Sequence, residues 1–270
     1  MRAISLLGLP LDANSSHLRG CAAGPAAMRA ALHSGSGNSS SEASVEVVPM
    51  LDDLGDLDLT NTPGSSDDAD RITAAVGDEL ARGRRVISVG GDHSVTFPIL
   101  RAVRDHLPVP VTVVHVDAHP DLYDDLDGNP LSHASPFARA MELGCIGRLV
   151  QLGIRTATPH QREQADRWGV EMIGARELDR FDGASIAGPV YVTIDLDGLD
   201  PSAAPGVSHH EPGGLTVREV LDVLDSITSP IVGADVVELN PSRDLVDMTA
   251  MVAAKLVKEL AGAIARTDDS

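Results

Sequence analysis

Three potential metal ligands stand at alternate positions after an apolar run in the middle of the chain. The run VTVVHV covers residues 111–116, and Asp117, His119 and Asp121 follow it. Such a β-branched run is typical of a buried parallel strand. The ligands would then lie at the carboxyl end of the strand, where active sites gather in open α/β sheets. The pattern indicates metal-dependent chemistry at a sheet edge.

Three further predicted strands end in polar residues of the same kind. The run RVISVGG leads into Asp92 and His93. The run VYVTI leads into Asp195 and Asp197, and IVGADVV leads into Glu238. Parallel strands would bring all these ends to one edge of the sheet. The side chains that could bind metal there are His93, Asp117, His119, Asp121, Asp195 and Asp197.

Two imidazoles and four carboxylates are more ligands than one divalent ion can use while leaving room for substrate. Two ions about 3.5–4 Å apart could share them, with carboxylates as bridges. Oxygen and imidazole donors without a thiolate favour Mn²⁺ over a structural zinc ion. The ions would lower the pKa of a bound water by several units and so create a nucleophile. The ligand set therefore predicts a dinuclear hydrolytic centre.

Other polar residues near these motifs have simpler interpretations. Asp92 is expected to cap a turn or helix and to hold the neighbouring metal ligands in position without binding metal itself. His115 lies inside the predicted strand and is expected to be packed there. Asp200, which precedes a proline, is expected in a turn. His209 and His210 lie in a Pro/Gly-rich loop, where they could approach a substrate or remain exposed.

Composition limits the partners of the chain. It has 270 residues, 40 acidic against 21 basic, and a net charge of -19. This charge argues against nucleic acid or an anionic membrane as partner. Cys21 and Cys145 form neither a disulfide framework nor a zinc motif, so reduced thiols are expected. No apolar run reaches the length of about 18 residues that a membrane span needs, and no signal peptide is evident, so a cytoplasmic location is expected.

Short apolar runs alternate with amphipathic stretches along the whole chain, which is typical of βαβ units. The predicted strands cover residues 3–9, 45–51, 85–91, 111–117, 148–154, 190–196 and 231–239. The predicted helices lie near residues 25–33, 68–83, 95–106, 135–143, 159–168, 216–228 and 245–266. This order predicts an α/β fold with seven or eight parallel strands and helices on both faces.

The motifs resemble those of the ureohydrolase family, which includes arginases and agmatinases. GGDHS, DAHPD and DLDGLDP are similar to the three metal motifs of that family, in the same order and at similar intervals. SHASPFARAME and APGVSHHEPGGLT are most similar to plant-type arginases. The resemblance covers nearly the whole chain. It implies one catalytic domain over residues 1–270, with the three-layer αβα fold of arginases and deacetylases and about eight mostly parallel strands.

The resemblance also implies a role for each site residue. The ligands of one Mn²⁺ would be His93, Asp117, Asp121 and Asp195. The ligands of the other would be His119, Asp117, Asp195 and Asp197. Glu238 would bind the guanidinium group of the substrate through charge-assisted hydrogen bonds. His133 would carry a proton to the leaving amine, and Asp121 would relay a proton from the nucleophile.

The activity implied is hydrolysis of a small guanidino compound to urea and an amine. L-Arginine to L-ornithine is preferred, and agmatine to putrescine is the alternative. Tyr123 stands where animal arginases have an asparagine that contacts the amino-acid end of arginine, so the motifs leave this choice open. Relatives often assemble as trimers or hexamers, which implies the same possibility here.

Three other functions remain open at this point. A formimidoylglutamase-type hydrolase would use a similar dinuclear centre but release formamide. A metal-dependent deacetylase would share the general fold but bind one zinc ion. A non-catalytic metal-binding protein would be expected to lack a ligand, His133 or Glu238, and the sequence contains all of them.

Overall fold

A computed structural model describes residues 3–268 of the chain. In that range the β-strands are β1 (Ile4–Leu9), β2 (Leu51–Asp56), β3 (Arg85–Gly90), β4 (Val111–Val116), β5 (Ile146–Ile154), β6 (Glu171–Gly174), β7 (Val190–Asp195) and β8 (Ile231–Val237). The α-helices are α1 (Gly24–Leu32), α2 (Ser66–Ala81), α3 (Thr96–His106), α4 (Pro136–Glu142), α5 (Pro159–Trp168), α6 (Val217–Ser226) and α7 (Met248–Asp268).

The strands form one eight-stranded sheet in the order β2-β1-β3-β8-β7-β4-β5-β6. Every neighbouring pair is parallel. The predicted parallel α/β sheet is therefore confirmed. Its four central strands are β3, β8, β7 and β4, and these are the strands whose ends carry the predicted ligands. The topology thus places all four ends side by side.

Two apolar cores lie on opposite faces of the sheet and complete a three-layer αβα sandwich. Residues of α1, α6 and α7 pack in one core, and residues of α2, α3, α4 and α5 pack in the other. Alternate residues of each central strand enter alternate cores: on β4, Val114 and Val116 face one and Val111 and Val113 the other. Burial on both faces explains why these strands have continuous apolar sequences.

The structure corrects the predicted sheet at its two edges. The strand predicted at 45–51 is wrong, because Val48–Met50 form a short 3₁₀ helix and the strand is Leu51–Asp56. The strand β6, Glu171–Gly174, was not predicted at all. Both are edge strands with much exposed surface, so they have no apolar run to identify them.

No helix within residues 3–268 has both the length and the apolar character needed to cross a bilayer. Cys21 and Cys145 are free and buried, which agrees with the prediction of reduced thiols. Buried free cysteines behave as small apolar residues unless a neighbour changes their chemistry.

Candidate active site

The loop after β4 carries three of the predicted ligands. Asp117 extends the strand, since its N–H donates to the carbonyl of Leu152 on β5 at 3.0 Å. The N–H of His119 donates back to Asp117 Oδ1 at 2.6 Å and tightens the turn. Asp121 has a φ of 51°, which is uncommon for a residue other than glycine. The chain therefore turns sharply and keeps the three residues at the sheet edge.

Two glycines let neighbouring segments approach the ligand loops closely. A Cβ at Gly198 would lie 2.8 Å from the backbone nitrogen of Asp117, so the loop after β7 packs directly on the loop after β4. A Cβ at Gly91 would lie 1.7 Å from the carbonyl oxygen of Leu11. The second contact brings the amino-terminal segment against the loop after β3. Any side chain at either position would push these segments apart.

The first group of ligands surrounds His93. Its Nδ1 atom lies 3.0 Å from Asp121 Oδ2, 3.2 Å from Asp117 Oδ2 and 3.3 Å from Asp195 Oδ2. All four residues are buried. The structure therefore brings together one imidazole and three carboxylates from three strand ends, as the strand-end motifs predicted.

Hydrogen bonds leave the Nδ1 atom of His93 available to a metal ion. Thr193 donates its hydroxyl to Asp235 Oδ1 at 2.5 Å, so its oxygen accepts from His93 Nε2 at 3.0 Å. The neutral ring then carries its proton on Nε2. Nδ1 is buried and has no hydrogen-bond partner among residues 3–268. The lone pair of Nδ1 faces three negatively charged carboxylates, and a cation bound between them would remove this repulsion. These residues therefore fit a metal ion.

The second group of ligands surrounds His119. Its Nδ1 atom lies 3.3 Å from Asp117 Oδ1 and 3.2 Å from Asp197 Oδ2. Asp117 thus presents one carboxylate oxygen to each histidine. Asp195 contacts the first group through Oδ2, while its Oδ1 accepts the N–H of Asp197 at 2.8 Å. The two groups are adjacent and share Asp117.

The buried carboxylates repel one another in the absence of a cation. Burial, reinforced by Asp197 and Asp117, raises the pKa of Asp195 well above its usual value. Burial and Asp117 raise the pKa of Asp197 to about 7. Burial disfavours the charged form of His93, yet the surrounding carboxylates raise its pKa well above the usual value. All three shifts show that the place attracts positive charge.

Residues around the ligands have the supporting roles that the sequence indicated. His115 is fully buried, accepts from the Gln151 amide at Nδ1 (3.1 Å) and donates from Nε2 to Asp117 Oδ2 (2.8 Å). Asp92 caps the turn after β3 by accepting from the N–H of Ser94 at 3.2 Å. Asp200 accepts backbone N–H groups within its own loop, including that of Gly213 at 2.8 Å. Asp92 is therefore a cap and Asp200 a turn residue, as predicted.

Glu238 and His133 form a buried pair beside the first ligand group. Glu238 follows β8 with a φ of 66°. Its Oε1 atom accepts from the N–H of His93 at 2.9 Å and from His133 Nδ1 at 2.8 Å. Burial disfavours charge on both side chains, but each stabilises the charge of the other: the pKa of His133 rises to about 9 and that of Glu238 falls to about 2.

A cavity of about 190 Å³ opens onto this arrangement. Four predicted ligands and His133 line it, namely His119, Asp121, Asp195, Asp197 and His133. The remaining lining residues are Ser16, Tyr123, Leu126, Ala134, Thr156, Thr158, Gln161 and His209. Glu238 is not among the lining residues, because it lies behind His133 and is only 2% exposed.

The structure gives different positions to His209 and His210, the two loop histidines whose roles the sequence left open. The ring centroid of His209 lies 5.3 Å from that of His133 and 5.8 Å from that of His119, inside the cavity. His210 is exposed and its Nε2 contacts the carbonyl of Pro205 at 2.7 Å. His209 therefore belongs to the site and His210 does not.

Sequence reasoning missed two residues of the amino-terminal segment that touch the site. The N–H of Ser16 lies 3.1 Å from His133 Nε2 and can donate to it when the ring is neutral, whereas the Ser16 hydroxyl, 2.8 Å from the same atom, can accept from the protonated ring. The thiol of Cys21 donates to Glu238 Oε2 at 3.2 Å. Ser16 lies in a loop and Cys21 begins a short 3₁₀ helix, Cys21–Ala23, and no local signal in the sequence indicated these contacts.

We expect Ser16→Ala to lower kcat by about three- to tenfold, because a neutral hydrogen bond to His133 contributes about 1 kcal/mol. The backbone N–H of Ser16 remains in the variant and continues to orient the ring. Steady-state kinetics at several pH values provide the measurement, with Ser36→Ala as an exposed control. An unchanged kcat would contradict a role for the hydroxyl in holding His133.

Comparisons with known proteins agree with this geometry. The Arginase family model matches residues 2–262. The chain is 46% identical to "Arginase 1, mitochondrial" of Arabidopsis thaliana over 97% of this chain and 81% of that protein. It is 32% identical to an agmatinase of Bacillus anthracis over 95% of this chain and 90% of that protein. The solved arginase of Medicago truncatula superimposes with a TM-score of 0.90 at 44% identity, covering 97% of this chain and 87% of that one.

These similarities confirm the resemblance drawn from the motifs, including the greater similarity to plant arginases than to agmatinases. They also confirm the predicted enzyme class, a hydrolase that acts on the carbon–nitrogen bond of a guanidino group. The chain belongs to the arginase family.

Proposed function

We propose that the enzyme hydrolyses L-arginine to L-ornithine and urea with the help of two Mn²⁺ ions. The observation that carries the hydrolytic part is the pair of histidine Nδ1 atoms, those of His93 and His119, that face opposite oxygens of Asp117. The preference for arginine rests on the relatives, since several plant proteins named arginase are 42–46% identical to this chain.

We assign the metal ligands as two overlapping sets. One ion would be held by His93, Asp117, Asp121 and Asp195, and the other by His119, Asp117, Asp195 and Asp197. The oxygen and imidazole donors and the free Nδ1 of His93 support this assignment. When bound, the two ions would acidify a water molecule and offset the charge of the four carboxylates.

The chain's own groups would bind the substrate and move protons. Glu238 Oε1 already accepts from two donors, whereas Oε2 contacts only the weak thiol donor of Cys21 among residues 3–268. Oε2 therefore keeps acceptor capacity for a guanidinium N–H, which would have to pass His133 to reach it from the cavity. His133 lines the cavity and would donate a proton to the leaving amine. Asp121, also in the lining, would receive the proton released by the attacking water.

Agmatine is the second candidate substrate, and one observation favours it. Among residues 3–268, no lysine or arginine that could pair with the carboxylate of arginine lines the cavity. Agmatine lacks that carboxylate. The same centre would still release urea, and the amine product would be putrescine.

A urea-release assay with arginine and agmatine in parallel, after loading with Mn²⁺, tests the proposal. We expect arginine to have the higher kcat/KM and metal analysis to find two manganese ions per chain. A chelated sample serves as the control and should lose turnover. The absence of urea from both compounds, or formamide from formiminoglutamate, would contradict the proposal, and one tightly held zinc ion would favour a deacetylase.

We also propose that residues 1–270 form one catalytic domain in the cytoplasm that assembles as a trimer or hexamer. The shared sheet and the free, buried Cys21 and Cys145 support a single domain in a reducing compartment. The plant relatives are named mitochondrial, so fractionation of the native cells decides the location. Light scattering of the purified protein decides the assembly.

A further inference from the structure

The cavity reaches the amino terminus of α5, a helix of 10 residues. Thr158 precedes the helix and accepts from the N–H of Gln161 at 3.3 Å through its hydroxyl. Gln161 Oε1 in turn accepts from the N–H of Thr158 at 3.0 Å, so the two residues form a reciprocal cap. Both of them line the cavity, together with Asp121 and Asp197.

The amide NH₂ group of Gln161 makes no hydrogen bond within the described part of the chain. The N–H of Thr158 can only donate, so the atom that accepts from it must be the amide oxygen, and this fixes the orientation of the amide. Gln161 is 3% exposed, and no hydrogen bond to its Nε2 occurs among residues 3–268. Gln161 lines the cavity, so this free donor is available to a ligand there.

The two features together suit an anionic oxygen. The amino terminus of α5 carries a partial positive charge that favours an anion, although its first residue, Pro159, has no N–H and the N–H of Gln161 already donates to Thr158. The free NH₂ of Gln161 adds a directed donor at the same end of α5. Neutral donors of this kind would compensate for the absence of lysine and arginine from the cavity lining.

We propose that Gln161 and the amino terminus of α5 bind the carboxylate of an amino-acid substrate and so select arginine over agmatine. The inference rests on the proposed function, because it places the guanidino group at the proposed metal ligands and the carboxylate at Gln161, which lines the same cavity. Gln161 is then the residue that determines specificity, and agmatine has no group to accept from it.

Gln161→Glu tests this inference in the Mn²⁺-loaded enzyme. Glutamate keeps the acceptor oxygen that caps the helix but replaces the NH₂ donor with a second oxygen, which repels a carboxylate. We expect kcat/KM for arginine to fall by about 10- to 100-fold, mainly through KM, because a charge-assisted hydrogen bond is lost. We expect kcat/KM for agmatine to stay equal or rise.

The chain offers a matched control at α6. Thr216 and Glu219 form the same reciprocal cap there, and neither lines the cavity. Glu219 is the third residue of α6, as Gln161 is of α5. Glu219→Gln therefore replaces glutamate with glutamine in an equivalent cap, and it should leave kcat/KM for arginine and for agmatine unchanged.

Calorimetric binding of ornithine and putrescine makes the inference independent of turnover. We expect the wild-type enzyme to bind ornithine more tightly, and Gln161→Glu to lose that preference. An equal loss for both ligands, or no loss for ornithine, would overturn the inference. If the wild-type enzyme releases no urea, the proposed function fails, and this binding preference still decides whether Gln161 recognises the carboxylate.

Discussion

Asp117→Asn is expected to lower urea release by at least about a thousandfold, which corresponds to about 4 kcal/mol of transition-state stabilisation. Asp117 is fully buried and presents one oxygen to His93 and the other to His119. Asparagine has nearly the same shape but no charge, and its NH₂ cannot bind a metal ion. The variant should therefore weaken both proposed metal sites at once.

The metal-free variant should be less stable than the metal-free wild type. Burial disfavours the charge of Asp117, but His115, His119 and His93 lower the pKa of its carboxyl well below the usual value, so asparagine loses interactions that stabilise the fold. Stabilisation by Mn²⁺ should be smaller in the variant, since a ligand at 100 times its Kd contributes about 2.7 kcal/mol only when it binds.

Thermal unfolding with and without Mn²⁺, metal analysis and the urea assay check both expectations together. Asp58→Asn, which removes a fully exposed carboxylate, serves as the control and should behave like the wild type. Full metal content and turnover in Asp117→Asn would show that the carboxylate does not bridge two ions.

Glu238→Gln should lower kcat/KM for the guanidino substrate by about 100-fold or more, because a buried charge-assisted hydrogen bond is lost. Glutamine can still accept from the N–H of His93 and from His133, so the fold of the loop should persist. The loss should appear mainly in KM, since the carboxylate is proposed to attract the guanidinium group in the ground state.

The same variant should change the pH profile in a defined direction. Glu238 raises the pKa of His133 to about 9 against the effect of burial, so removal of its charge lowers that pKa. His133 then loses its proton at a lower pH, and the alkaline decline of kcat/KM should move down by about one to three units. Glu163→Gln is the exposed control. An unchanged profile would separate Glu238 from the proton chemistry of His133.

The central sheet and the grouping of the predicted ligands could be predicted because burial on two faces leaves a strong pattern in the sequence. Each of β3, β4, β7 and β8 is an unbroken buried run, and its end is marked by an abrupt change to Asp, His or Glu. Parallel pairing then brings the ends together without further information.

The edge strands and the cavity wall could not be predicted in this way. The strand β2 has the acidic sequence LDDLGD, whose Asp52 and Asp53 contact Arg84 and Arg29 at the surface rather than a core. Ser16 and Cys21 reach the site through contacts with residues far away in the sequence, and Gln161 lines a cavity whose other walls come from distant segments. Their side chains are common types without a distinctive spacing, so only the folded chain identifies them.

The sheet order has a consequence for how the site is assembled during synthesis. The strands β4 and β7 are neighbours, so the turn with His119 can meet Asp197 once residue 197 has emerged. The strand β3 reaches β7 only through β8, which lies between them although it is the last strand to be made. We therefore expect His93 to join the three carboxylates only after residues 231–237 have been made. The proposed ligands around His119 need a shorter chain than those around His93, so the proposed second metal site could form first.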